Sequence, residues 1–153
     1  MLKRKLFAAL ILITLLVACA KSGPTISNEE KKYYQDLESA HSELEKIRSF
    51  VGSDKISKAR YKIRLEEIRP TTQRVLANYQ SSEFAEKESY RAVLRAYESY
   101  LVARKMWEED KGMALVNERM AEGSIWLKKA SGFIAQEQKG EPTEENQEKQ
   151  EKK

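Results

Sequence analysis

Apolar residues recur along this chain at intervals of three and four. The first such series is Tyr33, Leu37, Ala40, Leu44, Ile47 and Val51, spaced 4, 3, 4, 3, 4. That is the narrow stripe by which a helix packs in a bundle or coiled coil. Just ahead of it, Ser27-Asn28-Glu29-Glu30 is a capping box, in which Ser27 accepts from the amide three residues on and Glu30 reaches back to the Ser27 amide. A first helix is predicted from there, with Gly52 as its C-cap. Ser53 or Asp54 is then the cap of the next helix.

The second predicted helix runs from Asp54 to Asn78. Tyr61, Leu65, Ile68, Thr72, Val75 and Tyr79 form its seam, which Ile56, Ala59 and Ile63 widen. Pro70 lies inside and costs about 3 kcal/mol in a helix interior. The seam keeps its phase across the proline, so a kink is expected rather than a break. Gln80-Ser81-Ser82 is a polar interruption with Ser82 as the expected cap. A third helix, Glu83 to Glu109, carries a broad apolar face of Phe84, Val93, Leu94, Tyr97, Tyr100, Leu101 and Trp107. After the turn Asp110-Lys111-Gly112, a fourth helix is predicted from Gly112 to Gln138. Its seam is Met113, Val116, Met120, Gly123, Leu127, Ala130 and Ile134, with Trp126 and Phe133 on its flanks.

Four long helices with short connections predict an all-α fold, an antiparallel up-down-up-down bundle over residues 27–139. The even helix count returns the C-terminus to the N-terminal end. Residues 140–153 contain no apolar side chain. They cannot offset ordering entropy by burial and are expected to be disordered.

The N-terminus follows a different pattern. Lys3, Arg4 and Lys5 precede an apolar segment from Leu6 to Val17. Twelve residues are too few to span a bilayer, which takes roughly 20, and suit the core of a cleaved export signal. The segment ends at Leu16-Val17-Ala18-Cys19, which holds the only cysteine of the chain. This stretch resembles the lipobox of bacterial lipoproteins. The resemblance covers about the first 20 residues and rests on four matching parts: charge, length, a small residue at Ala18 and the lone Cys19.

It implies cleavage by signal peptidase II before Cys19, a diacylglycerol group on its thiol and an acyl chain on the new N-terminus. Residues 1–18 are then the signal and residues 19–26 a lipidated linker. No other cofactor is expected. Two or three acyl chains hold far more firmly than one. Ala20, rather than Asp, follows Cys19. By the same resemblance the expected location in a double-membraned cell is the inner leaflet of the outer membrane, facing the periplasm. The linker from Ala20 to Ile26 reaches about 25 Å when extended, which keeps the bundle near the bilayer.

That reading changes the charge balance. The whole chain has 28 basic and 24 acidic side chains. Without Lys3, Arg4 and Lys5 the count is 25 against 24, a net of +1. So balanced a mature domain is not expected to bind nucleic acid. With its single thiol acylated, it has neither a disulfide nor thiol chemistry.

Little else in the chain carries chemistry. His41 is the only histidine and has no partners at metal-ligand spacing. It is expected at the surface or the core boundary. Glu66-Glu67 and Glu108-Glu109 are adjacent pairs, whereas acid-base catalysis by two carboxylates needs them opposed across a cleft. No phosphate loop or nucleophile elbow is present, so no enzymatic activity is expected.

Two features suit binding. Lys55, Lys58, Arg60, Lys62, Arg64, Arg69 and Arg74 make the second helix basic, and Tyr90, Tyr97, Tyr100 and Trp107 recur at helical spacings on the third. Tyr97, Tyr100, Trp107, Lys58 and Lys62 are therefore the candidate interaction surface. Core packing of the aromatics and charge pairing of the bases are the simpler expectations. The reading that follows is a membrane-anchored envelope protein that binds or scaffolds a partner protein. The alternative is a module that binds cell-wall glycan or another periplasmic ligand. Self-association through a second copy stays open.

Overall fold

The computed structural model describes residues 26–51 and 56–140. The signal segment, Cys19, the linker before Ile26, the Gly52 cap, Ser53, Asp54, Lys55 and the charged tail from Glu141 on lie outside the described residues. Within them the chain is an all-α bundle of four helices. They are α1 (Asn28–Val51), α2 (Lys58–Tyr79), α3 (Glu88–Glu108) and α4 (Met113–Gln138), with a 3-10 turn at Glu83–Glu86 between α2 and α3.

Side-chain ties fix an antiparallel order. The Tyr79 hydroxyl, at the end of α2, donates to Asp36 near the start of α1 at 2.7 Å. Tyr61, early in α2, donates to the carbonyl of Tyr100, late in α3, at 3.0 Å. Gln138 at the end of α4 donates to Glu38 of α1 at 3.0 Å. The last helix thus returns to the end of the bundle where the first begins.

The predicted seams are buried almost throughout. Tyr33, Leu37, Ala40, Leu44 and Ile47 of α1 meet Tyr61, Leu65, Ile68 and Val75 of α2 and Val116, Met120, Leu127, Ala130 and Ile134 of α4 in one core. The capping box forms as the sequence predicts: the Glu30 amide donates to Ser27 Oγ at 3.1 Å and the Ser27 amide to Glu30 Oε2 at 3.2 Å. Helix α2 runs unbroken through Pro70.

Four expectations need correction. Helix α2 starts at Lys58 rather than Asp54, because Ser57 caps it by accepting from the Arg60 amide at 3.4 Å. Ile56 and Tyr61 then occupy the two positions of a hydrophobic staple, with Ile56 packed against the core. Ala59 and Ile63 do not widen the seam; both are exposed, Ile63 by 59%.

The third correction concerns the start of α3, which is Glu88, not Glu83. In one continuous helix Phe84 would share a face with Val102, about five turns on, and Val102 is exposed. The break at Lys87, whose backbone is extended, instead turns Phe84 into the core. There it stacks on Tyr33 at 4.5 Å between ring centroids. Finally, Met113 opens α4 but is exposed. The chain reaches it through a left-handed Asp110 (φ 53°) and Gly112 (φ 93°). Asp110 is the left-handed residue of a Schellman motif, with the Lys111 amide bonding Met106 O at 3.0 Å.

The four inter-helix seams differ in width. Helices α3 and α4 pack most extensively. Ala92, Ala96, Ser99 and Ala103, spaced 4, 3, 4, are buried small residues on α3, which lets the two backbones approach. Across from them Gly123 lies under the Tyr100 ring, so that a Cβ there would come within 2.7 Å of it. Gly123→Ala is therefore expected to destabilise the fold by about 1–3 kcal/mol through overpacking, read from chemical denaturation.

One core hydroxyl, Thr72 Oγ1, is buried without a hydrogen-bond partner. An orphan of this kind costs about 1–3 kcal/mol. Thr72→Val keeps the shape and removes the polar atom, so its melting temperature should rise; a fall would mean that the hydroxyl has a partner in solution.

Candidate functional site

All seven tyrosines of the chain are buried. Each carries a hydroxyl that must find a partner or leave a polar group dehydrated. Six do. Tyr33 bonds Ser89 at 2.8 Å, Tyr34 accepts from Lys87 at 2.9 Å, and Tyr79 reaches Asp36. Tyr100 meets Ser124 at 3.2 Å.

The remaining two of the six cross from one helix to the next: Tyr61 to the carbonyl of Tyr100, and Tyr90 to the carbonyl of Leu76 at 2.9 Å. These two are struts between α2 and α3, one near each end of the seam. Tyr97 stands between them with no partner for its hydroxyl. Burial pushes its phenol above the ordinary value of 10.0, so the group stays a donor.

Helices α2 and α3, joined by these bulky struts, pack less extensively than α3 and α4. Between α2 and α3 lies a groove of about 710 Å³. Tyr90 and Tyr97 form its floor. Leu76 and Ala77 wall it on α2, Leu94 and Leu101 on α3, and Gln73, Gln80 and Glu98 form a polar rim. From Tyr90 to Leu101 it runs on the order of 16 Å along α3.

Below Tyr97 the same seam is closed by charge. Lys58 pairs with Asp110 at 3.3 Å and Lys62 with Glu108 at 3.8 Å. Arg104 bonds Glu66 closely and Glu108 at 3.1 Å, and Arg69 lies 3.6 Å from Glu66. The Arg104 hydrogen bond is the main cause holding the Glu66 carboxyl below its ordinary value. Four cations face three carboxylates in this clamp, a net of +1.

The candidate surface residues are accordingly split. Lys58 and Lys62 are engaged in the clamp, and Tyr97 lies in the groove. Tyr100 is not at the surface: it is 0% exposed, wedged under Gly123, and its role is packing. Trp107 is half-buried, its ring 5.9 Å from that of Tyr61, and it borders a separate hollow of about 200 Å³ with Asp110, Gly112, Met113 and Val116. Sequence reasoning missed the α2 wall, Gln73, Leu76, Ala77 and Gln80. The available signal was Leu76, an apolar residue beside Val75 and outside the α2 seam.

Of the other bases of α2, Arg64 pairs with Glu67 at 2.7 Å. Among the described residues Arg60 and Arg74 have no ion-pair partner. A glycan platform needs a free aromatic face. Trp126 is half-buried, and both Arg95 and Lys129 sit 4.5 Å from its ring centre, so its π-surface already serves two cations. It borders a crevice of about 420 Å³ between α3 and α4, whose Arg119 is tied to Glu122 at 2.6 Å.

A second polar cluster lies where α1 begins and α4 ends. Ser89 Oγ donates to Glu137 at 2.5 Å, and the Ser89 amide donates to the same carboxylate at 3.0 Å. Glu137 thus caps the start of α3 from another helix, at an amide that no local side chain serves. Lys87 bonds Tyr34 and, at 3.2 Å, Glu30. Ser89, Tyr33, Lys87 and Glu137 together have the residue types of a nucleophile and its helpers. However, Ser89 is 0% exposed and borders none of these three hollows, so the arrangement serves as a cap.

His41 Nε2 lies 3.0 Å from the carbonyl of Leu127, tying α1 to α4. Among the described residues no group of three or more His, Cys, Asp or Glu is placed to hold a metal ion. No helix among them is long and apolar enough to cross a membrane. Compared with protein families, with curated proteins and with solved structures, the chain matches none, so the functional reading rests on geometry and on the N-terminal pattern.

Glu137→Gln is expected to cost about 1–3 kcal/mol, because it weakens a charge-assisted cap on a buried amide. Acid should weaken the same end of the bundle. The Ser27 amide first, and Lys87 next, hold the Glu30 carboxyl below its ordinary 4.5. Its stabilisation is thus complete above that value and lost as pH falls through the lowered one. Thermal melts from neutral pH to below 4.5 should show the loss, and Glu30→Gln should flatten it.

Proposed function

We propose that this chain is a lipid-anchored protein of the bacterial cell envelope whose bundle docks a partner protein in the α2/α3 groove, without catalysing a reaction. The groove is the observation that carries the docking reading. It has an apolar floor and walls with a polar rim, the anatomy of a protein interface. It is also open to solvent. Small-molecule sites enclose most of their ligand's surface; an open groove covers one face of what lies in it, which suits a segment of a larger molecule.

The anchor reading rests on the N-terminal pattern that ends at Cys19. A diacylglycerol on the Cys19 thiol and an acyl chain on its amine would hold the bundle at the bilayer, on the inner leaflet of the outer membrane in a double-membraned cell. The start of α1 and the end of α4 share one end of the bundle. On this reading that end faces the lipid, and the groove lies along the side of the bundle, accessible to a neighbour on the same membrane.

Two measurements test the two halves separately. Cys19→Ala should abolish labelling by a radioactive or clickable fatty acid and leave uncleaved precursor; normal processing would refute the anchor. For the groove, Leu94→Arg should abolish the crosslinked partner band recovered from cells, whereas Ile125→Arg, on an exposed part of α4, should leave it intact. Equal loss in both, or in neither, refutes docking in the groove.

A further inference from the structure

We infer that the segment seated in the α2/α3 groove is an amphipathic helix of a partner protein bearing an Asp or Glu side chain at the Tyr97 end. This inference rests on the docking reading above and adds the chemistry of the occupant. Its first support is shape. The groove lies between two helices and runs on the order of 16 Å, about three turns of a third helix laid along it. Leu76, Leu94 and Leu101 then receive apolar residues recurring at three and four positions, the usual way a helix fills such a groove.

The second support is an unanswered donor. Tyr97 is 4% exposed and is the one tyrosine whose hydroxyl has no partner. The Gln73 amide approaches it, but the acceptor of that amide, Oε1, already accepts from Arg69 Nε at 3.1 Å, so what Gln73 offers the phenol is a donor. Gln73 is itself exposed and lines the groove beside Tyr97, so its side chain can move without unpacking the core. A buried O–H that stays protonated calls for an acceptor from the occupant.

The third support is charge. Tyr97 adjoins the closed half of the seam, where Lys58, Lys62, Arg69 and Arg104 outnumber Glu66, Glu108 and Asp110 by one. Arg69 is half-exposed and its contact with Glu66 is the long one of the clamp's arginine pairs, 3.6 Å. A carboxylate arriving there accepts from Tyr97 and meets Arg69. A lysine or an apolar residue at that position would leave the hydroxyl dehydrated and the excess positive charge unanswered. The rim carboxylate Glu98, next to Tyr97 on α3, opposes an acid on the α3 side, so the favourable position is on the α2 side, against Arg69.

The experiment uses the full lipidated chain in its own cells, with the photocrosslinking residue p-benzoylphenylalanine in place of Leu94. The crosslinked peptide is identified by mass spectrometry and then synthesised with a fluorescent label. The expected result is an adduct on one amphipathic segment with an Asp or Glu within a turn or two of the attachment point. Tyr97→Phe in this chain, and Glu→Gln or Asp→Asn in the peptide, should each weaken binding roughly tenfold. The double change should cost no more than either alone.

Tyr97→Phe fills a site whose hydroxyl has no partner within the bundle, so folding is expected to survive, with the melting temperature as the check. If the variant fails to melt cooperatively, the peptide-side change alone decides the matter. A groove-bound segment without an acid, or additive losses, overturns this inference and leaves docking intact. An adduct on lipid or on a second copy of this chain, or no adduct at all, overturns both.

Discussion

Seven buried tyrosines set the terms of this bundle. A phenol is large and apolar enough to fill a helix interface, yet its hydroxyl must be hydrogen-bonded when it leaves water. Each one that succeeds fixes a distance and a register between two elements. Tyr79 ties α2 to α1, Tyr33 ties α1 to α3, Tyr100 ties α3 to α4, and Tyr61 and Tyr90 span α2 to α3. In the described bundle these ties supply the specificity that purely aliphatic packing leaves loose.

The same side chains make the molecule asymmetric. Where α3 meets α4, with Gly123 against Tyr100, packing is extensive; where Tyr61 and Tyr90 bridge α3 and α2 it is sparser. The groove lies in that sparser seam. Its lower half is shut by paired charges and its upper half is left apolar. Exposed ion pairs of this type contribute at most about 1 kcal/mol each. The clamp therefore matters more for the field it places beside Tyr97 than for stability. Tyr97 belongs to the strut series by spacing but not by bonding, and that exception makes the groove the candidate site.

The end of the bundle that gathers the start of α1 and the end of α4 shows how helix ends can be satisfied from a distance. Glu137 sits in the last turn of α4, where a carboxylate opposes that helix's own dipole. It stays there because the first amides of α3 lie alongside and need an acceptor. The same two hydrogen bonds thus cap α3 and tie the end of α4 to it.

Most of the fold was legible in the chain. Period-3.6 seams on α1, α2 and α4 named nearly every core residue of those helices, and Ser27 with Glu30 marked the first helix start, because amphipathicity and capping are local properties of sequence. Pro70 did not break α2, since the seam on both sides still had the same core to enter. What local pattern could not decide was phase against neighbours. Phe84 left the α3 helix because Tyr33 and Tyr79 offered it a buried site. Tyr100 proved to be core and Tyr97 the groove floor, although the two differ by only three positions. Their difference lies in what faces them: a glycine of α4 over Tyr100, and for Tyr97 the α2 wall of the groove. The sequence by itself determined that four helices would bury these tyrosines, because burial follows from period and polarity. Only the tertiary structure decided which tyrosine hydroxyl would be left without a partner, because that depends on distances between helices that no single helix encodes.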